Sequence, residues 1–165
     1  MKLRPERPDE TQMLRALTEA AFAPMSFSDG TEGQALDQLR EDGDLVFSQV
    51  VEEGEEVIGH VALSPAQVGG AAGWYGLGPI SVREDHQRRG VGSALMTAAI
   101  DWAKEQKSHG LVLLGNPAYY SRFGFISDEA LTHLTVPSEY VQALSFSAPA
   151  RGEIVFASAL QSISP

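Results

Sequence analysis

The chain contains no cysteine, and that absence removes disulfides, thiolate metal sites and a cysteine nucleophile together. It also lacks a long apolar run. Nothing approaches the roughly 18 residues of a membrane span, and the opening MKLRPERPDE is charged where a secretory leader needs an apolar stretch. A cytoplasmic protein with no membrane partner is expected. Positive charge is scarce: 12 Lys and Arg stand against 22 Asp and Glu, a formal net charge of −10. Such a balance disfavours nucleic acid, which needs a basic face, and favours a cationic small molecule or peptide. Histidines are few, and His60, His86, His109 and His133 are too widely spaced to read as a ligand set, so no metal site is expected.

What is present is enough for one core. At 165 residues and 43% hydrophobic composition, without repeats, low-complexity tracts or a shift in composition, residues 1–165 read as one domain. Residues 9–22 carry Met13, Leu14, Leu17 and Ala21 on one helical face, with Asp9 as the candidate cap. A second short helix follows at about 31–41. The period then changes to that of a hairpin turning at Gly54, and residues 73–83 read as a strand interrupted by Gly78 and Pro79, where a bulge or broken pairing is expected. From Gly90 the spacing of Val91, Leu95, Ala98, Ala99 and Trp102 is helical, ending before His109. LVLLG at 111–115 has the continuous apolar character of a strand covered on both faces. A short turn of helix in NPAYYSRFGF, a strand entry at Phe125 and a last strand within 153–160 complete a mixed α/β order.

The charged turn between 82 and 96, VREDHQRRGVGSALM, sits where a strand gives way to a helix. Unpaired amides of the first helical turn, together with the helix dipole, suit an anion there, and Gly90 and Gly92 let a diphosphate approach the backbone. Arg88 and Arg89 add mobile positive charge. A P-loop would need a lysine after the last glycine, and none follows. A dinucleotide fingerprint would need an acidic residue about 20 positions on, at the end of a second strand, and none stands there. Glycines that merely shape a tight turn, with the arginines solvated, remain the competing reading.

QRRGVG at 87–92, led by ISV at 80–82, resembles the Q/RxxGxG/A signature of the GNAT superfamily of acyl-CoA N-acetyltransferases. NPAYYSRFGF at 116–125 is similar to the segment that follows the next strand in that superfamily, and its AYYSRFGF form resembles the bacterial YhbS-like predicted acetyltransferases. The resemblance covers about residues 45–126 well, the first helices plausibly and the C-terminal part weakly. It implies a single-domain GNAT acyl-CoA N-acyltransferase fold of the α/β (α+β mixed) class: a central, mixed, largely antiparallel sheet of about six to seven strands flanked by helices.

The resemblance further implies acetyl-CoA as acyl donor, used without a metal. Ile80, Ser81 and Val82 would meet the pantetheine arm by backbone, and Gln87, Arg88, Arg89, Gly90, Val91, Gly92 and Ser93 would cradle the pyrophosphate. The Ile80 amide would face the thioester oxygen. Tyr120 would be the catalytic acid toward the leaving sulfur, with Tyr119 in the neighbouring aromatic slot. Asn116 either contacts the cofactor or caps the short helix, and its spacing to Tyr120 is shorter than the family's commoner one. No general base is assigned; His60 is a weak candidate, Trp74 and Tyr75 are candidates for the acceptor side, and Arg83 and His86 for the surface near the entrance. The implied function is transfer of an acetyl group to a primary amine by direct attack in a ternary complex. The rival is a non-catalytic acyl-CoA-binding sensor or partner module. Monomer and homodimer are both left open.

Overall fold

A computed structural model of the protein describes residues 1–26 and 28–162. The chain runs through β1 (Lys2–Pro5), α1 (Thr11–Phe22), α2 (Glu32–Glu41), β2 (Phe47–Glu53), β3 (Glu56–Val68), β4 (Ala71–Val82), α3 (Val91–Glu105) and β5 (Gly110–Leu114). It closes with α4 (Pro117–Tyr120), β6 (Ile126–Ser127), β7 (Leu131–Thr132), β8 (Val141–Ser145) and β9 (Gly152–Val155). The strands form one sheet in the order β1-β2-β3-β4-β5-β8-β6, with β9 pairing β3 and β7. Every described pair is antiparallel except β4 with β5 and β7 with β9. The mixed, largely antiparallel class is as expected. Among the described residues the strands number nine rather than six or seven, two of them only two residues long. No described helix is long and apolar enough to cross a membrane.

Side-chain alternation along β2 and β3 separates two layers. Val51, Val61 and Leu63 face α3, through Val91, Leu95 and Ala99, while Val50 and Ala62 face α1 and α2, through Leu14, Leu17 and Leu36. α3 lies close on its face because residue 59 is glycine: a Cβ there would stand 2.7 Å from Val91 Cγ1. The first turn of α3 is thereby held against the sheet.

Two starts differ from expectation. Asp9 does not cap the first helix. A single 3-10 turn over Pro8–Glu10 precedes α1, and the adjacent Glu10 carboxylate is engaged instead, accepting from Arg4 Nη1 and Nη2 at 2.9 and 2.7 Å and from the Arg7 amide at 2.7 Å. β1 was not anticipated because its pattern is inverted: Arg4 points inward at 9% exposure and Leu3 outward at 41%. Arg4 tolerates burial because Glu10 and Glu52 both take its donors.

Candidate active site

β4 and β5 pair only at their beginning. Trp74, Tyr75 and Gly76 lie beside Gly110, Leu111 and Val112, and no ladder pair follows, although β4 continues to Val82 and β5 to Leu114. A gap therefore opens between two neighbouring strands toward their carboxyl ends. On its β4 side, Val61 opposes Ile80 and Leu63 opposes Leu77, so Gly78 and Pro79 form a bulge. The extra residue keeps Leu77, Ile80 and Val82 all on the α3 side, where uninterrupted alternation would have turned Ile80 away.

The ladder fixes which amides face the gap. The Arg83 amide donates to the Ile58 carbonyl at 2.9 Å, so Arg83 and Ile58 are a hydrogen-bonded pair. Antiparallel pairs alternate, which makes Ser81 with His60 bonded and Ile80 with Val61 and Val82 with Gly59 not. The N–H and C=O groups of Ile80 and Val82 thus point away from β3, into the gap. Gln87 closes over one of them, its Nε2 donating to the Val82 carbonyl at 3.3 Å.

α3 begins at the mouth of this gap. Gly90 occupies the N-cap with φ of 85°, no side chain caps the turn, and the first bond into the helix runs from the Ala94 amide to the Gly90 carbonyl at 3.0 Å. The amides of residues 91–93 lack intrahelical partners, the condition that makes a helix start attract anions. Arg88, itself at φ of 64°, stands at the same mouth.

A cavity of about 1120 Å³ passes through the gap. It receives Ile80, Val82, Gln87, Arg88, Gly92 and Ser93 from one side and Asn116 and Tyr120 from the other. Of the sequence candidates, Ser81, Arg89, Gly90 and Val91 are not on its lining. The Ser81 side chain is buried on the opposite sheet face, and the Val91 side chain is in the core, so only its amide is available. Asn116 caps α4, its Oδ1 accepting from the Ala118 amide at 2.9 Å, while also facing the cavity.

The two tyrosines are placed by absent β-carbons. A Cβ on Gly115 would lie 2.5 Å from Tyr120 Cε2, and one on Gly92 would lie 2.6 Å from the Tyr119 hydroxyl. Tyr120 is wedged edge-on between Tyr119 and Phe125, with centroids at 4.9 and 6.1 Å. Burial, with Tyr119 adding, pushes its phenol well above the ordinary tyrosine range, so it stays protonated at any working pH. Its hydroxyl has no hydrogen-bond partner among the described residues.

His60 is not at the cavity. It is fully buried on the α1/α2 face, 2.7 Å from Ser48 Oγ, and burial, with the Arg40 charge adding, pulls it down to about 4. Ser48 in turn donates to Glu6, so His60 Nε2 is the protonated nitrogen. Trp74 is packed in the core and Tyr75 against Trp102, and neither lines the cavity. Arg83 is held by Glu56 and Asp85, and His86 by Asp85. Sequence reasoning missed Arg122, which lies over the Tyr119 ring at 4.8 Å and lines the cavity, although it stands inside the AYYSRFGF stretch. It also missed the wall formed by Phe22, Met25, Glu32, Tyr140, Phe156 and Leu160, for which the sequence carries no local motif.

Residues 11–125 match the model of the acetyltransferase (GNAT) family. This chain belongs to that family. It is 38% identical over 107 residues to the uncharacterized N-acetyltransferase YhbS of Escherichia coli K12, a match spanning 64% of each chain, so the chain matches less than two thirds of that curated relative's length. Among solved structures, it superposes with a TM-score of 0.84 and 38% identity on a GNAT family acetyltransferase from Brucella melitensis in complex with acetyl-CoA, covering 96% of this chain and 97% of that one. The E. coli YhbS structure in complex with CoA gives a TM-score of 0.88 at 27% identity, covering 99% and 93%.

Proposed function

We propose that residues 1–165 form one N-acetyltransferase domain, which transfers an acetyl group from acetyl-CoA to a primary amine by direct attack in a ternary complex. The observation that carries this reading is the conjunction of the Ile80 backbone groups and the Val82 amide, all turned into the gap, with the uncapped first turn of α3, both on one cavity. The two similar solved proteins hold acetyl-CoA and CoA respectively. The residues fit such a donor: the gap leaves strand-like hydrogen-bonding groups for an extended pantetheine arm, and the glycines leave room for a diphosphate.

The roles follow from placement. Residues 87–93 hold the diphosphate by first-turn amides, with Arg88 and Arg122 supplying charge. Val82 and Ile80 bind the arm by backbone, and the Ile80 N–H stabilises the carbonyl oxygen as negative charge gathers on it. The acceptor nitrogen attacks unprotonated and sheds one proton to solvent as the C–N bond forms, the C–S bond breaks, and Tyr120 gives its phenolic proton to the departing sulfur and regains one from solvent. Burial keeps that proton in place until it is needed.

The testing experiment is calorimetric titration with acetyl-CoA of the wild type and of a variant with Gly90 and Gly92 both replaced by valine. One-to-one binding lost in the variant supports the cradle. Absence of binding by the wild type refutes the function. An amine screen then follows thiol release with a thiol-reactive dye, free of protein background because the chain has no cysteine.

A further inference from the structure

The cavity has walls of opposite charge. Arg88, just ahead of α3 on one sheet face, and Arg122, which follows α4, make one wall, whereas α2, on the other face, brings Glu32. Glu32 is the first residue of α2 and only 5% exposed. Among the described residues it forms no salt bridge, and the only donor reaching its carboxylate is the Ser28 hydroxyl. The chain pairs its other deeply placed carboxylate: Glu10, 9% exposed, receives Nη1 and Nη2 of Arg4. A carboxylate withdrawn from water without a cation is costly unless something completes it. Asp29, held below the usual carboxylate range by the Thr31 hydroxyl and amide and, to a smaller extent, by a side-chain contact with the Glu32 carboxyl, adjoins it and adds to the negative potential. Around Glu32 the wall is apolar, with Phe22, Met25, Phe156 and Leu160.

We infer that Glu32 is the specificity residue for the acceptor, binding a cationic group carried on an aliphatic or otherwise apolar stem. The inference rests on the acetyltransferase reading, because it assigns the diphosphate to the basic wall and so leaves the acidic wall to the amine. An anionic donor at Arg88 and a cationic acceptor at Glu32 enter one cavity without competing. A wrong, anionic acceptor is turned away by an unpaired buried carboxylate. Glu32 acts here in binding, and the proton lost by the reacting nitrogen is left to solvent or another group.

The test uses the full chain saturated with CoA and calorimetric titration with linear α,ω-diamines of four to six carbons, with the matching diols as uncharged controls. The diamines bind the wild-type complex and the diols do not. In Glu32→Gln the diamine affinity falls at least about tenfold, the range of a lost charge-assisted contact, while CoA affinity is unchanged. Glu32→Asp, which keeps the charge one methylene further back, falls between. The melting temperature of Glu32→Gln is no lower than wild type, since an unpaired buried charge has been removed. Diamines that ignore the wild-type complex, or bind wild type and Glu32→Gln alike, overturn the inference. So does joint loss of CoA affinity and melting temperature in Glu32→Gln, which would make Glu32 a structural residue. If CoA itself does not bind wild type, the acetyltransferase reading falls and takes this one with it.

Discussion

Replacing Tyr120 with phenylalanine isolates one atom. The ring's surroundings survive the change: the missing Gly115 side chain 2.5 Å from its edge, Tyr119 at 4.9 Å and Phe125 at 6.1 Å between centroids. The hydroxyl itself makes no hydrogen bond to a described residue, so its removal leaves no protein group unsatisfied. Stability should therefore change by less than about 1 kcal/mol. The kinetic consequence is larger, since a positioned acid contributes roughly 10² to 10⁴ in rate. A fall in kcat of about 100-fold corresponds to about 2.7 kcal/mol of lost barrier reduction. Burial holds the phenol above its ordinary value of 10.0, so an acid at Tyr120 would stay protonated throughout, and the ratio of the two rates should be flat from about pH 6 to 10. The assay is thiol release at saturating acetyl-CoA, with calorimetry for donor affinity. Wild-type turnover in the variant would refute the proton-donor role. A loss of acetyl-CoA affinity matching the loss of kcat would do so too, by making the hydroxyl a binding contact; a chain that binds acetyl-CoA tightly and never turns over with any amine would support the non-catalytic module instead.

Gly115→Ala should imitate that variant without touching the hydroxyl: the new Cβ pushes the Tyr120 ring by about 1 Å, a displacement able to cost roughly 10² in rate. Combined with Tyr120→Phe it should cost little more, and additive losses would refute the shared mechanism. Gly59→Val should drive α3 off the sheet, because Val91 Cγ1 and Leu95 Cδ1 stand 2.7 and 3.1 Å from the added Cβ; the urea midpoint should drop by the equivalent of about 1–3 kcal/mol or more. Arg4 holds Glu10 at about 2, below its ordinary 4.5, so the stability this pair contributes is complete above about pH 4.5 and is lost as pH falls toward 2. Acid unfolding of Glu10→Gln should lack that part of the slope, and an unchanged acid profile would count against the pairing.

The part of this protein that declared itself in sequence is the part governed by local rules. The hairpin at Gly54, the bulge at Gly78 and Pro79, the glycine opening of α3 and the apolar run of β5 each follow from backbone conformation or periodicity within a dozen residues. What stayed hidden is held by partners far away along the chain. β8 is a strand between β5 and β6 whose Gln142 is 1% exposed. That polar residue breaks the reading of an interior strand until its bond to the Gly115 carbonyl, 2.9 Å away across the sheet, is known. β1 is hidden for the same reason in stronger form, because its inward residue is an arginine whose partners are Glu10 and Glu52.

Glu32 carries that logic one step further and turns it into a statement about function. In Arg4 and Gln142, a polar side chain on an inward position is explained once the folded chain supplies its partner. In Glu32 the folded chain supplies one serine hydroxyl and no cation among the described residues, and the residue lies on the wall of the cavity rather than within a sealed core. The same expectation of satisfied burial that accounts for β1 and β8 therefore asks for a partner that the described residues do not supply. A carboxylate left incomplete on the wall opposite the arginines is the feature by which this member of the family would select a cationic amine.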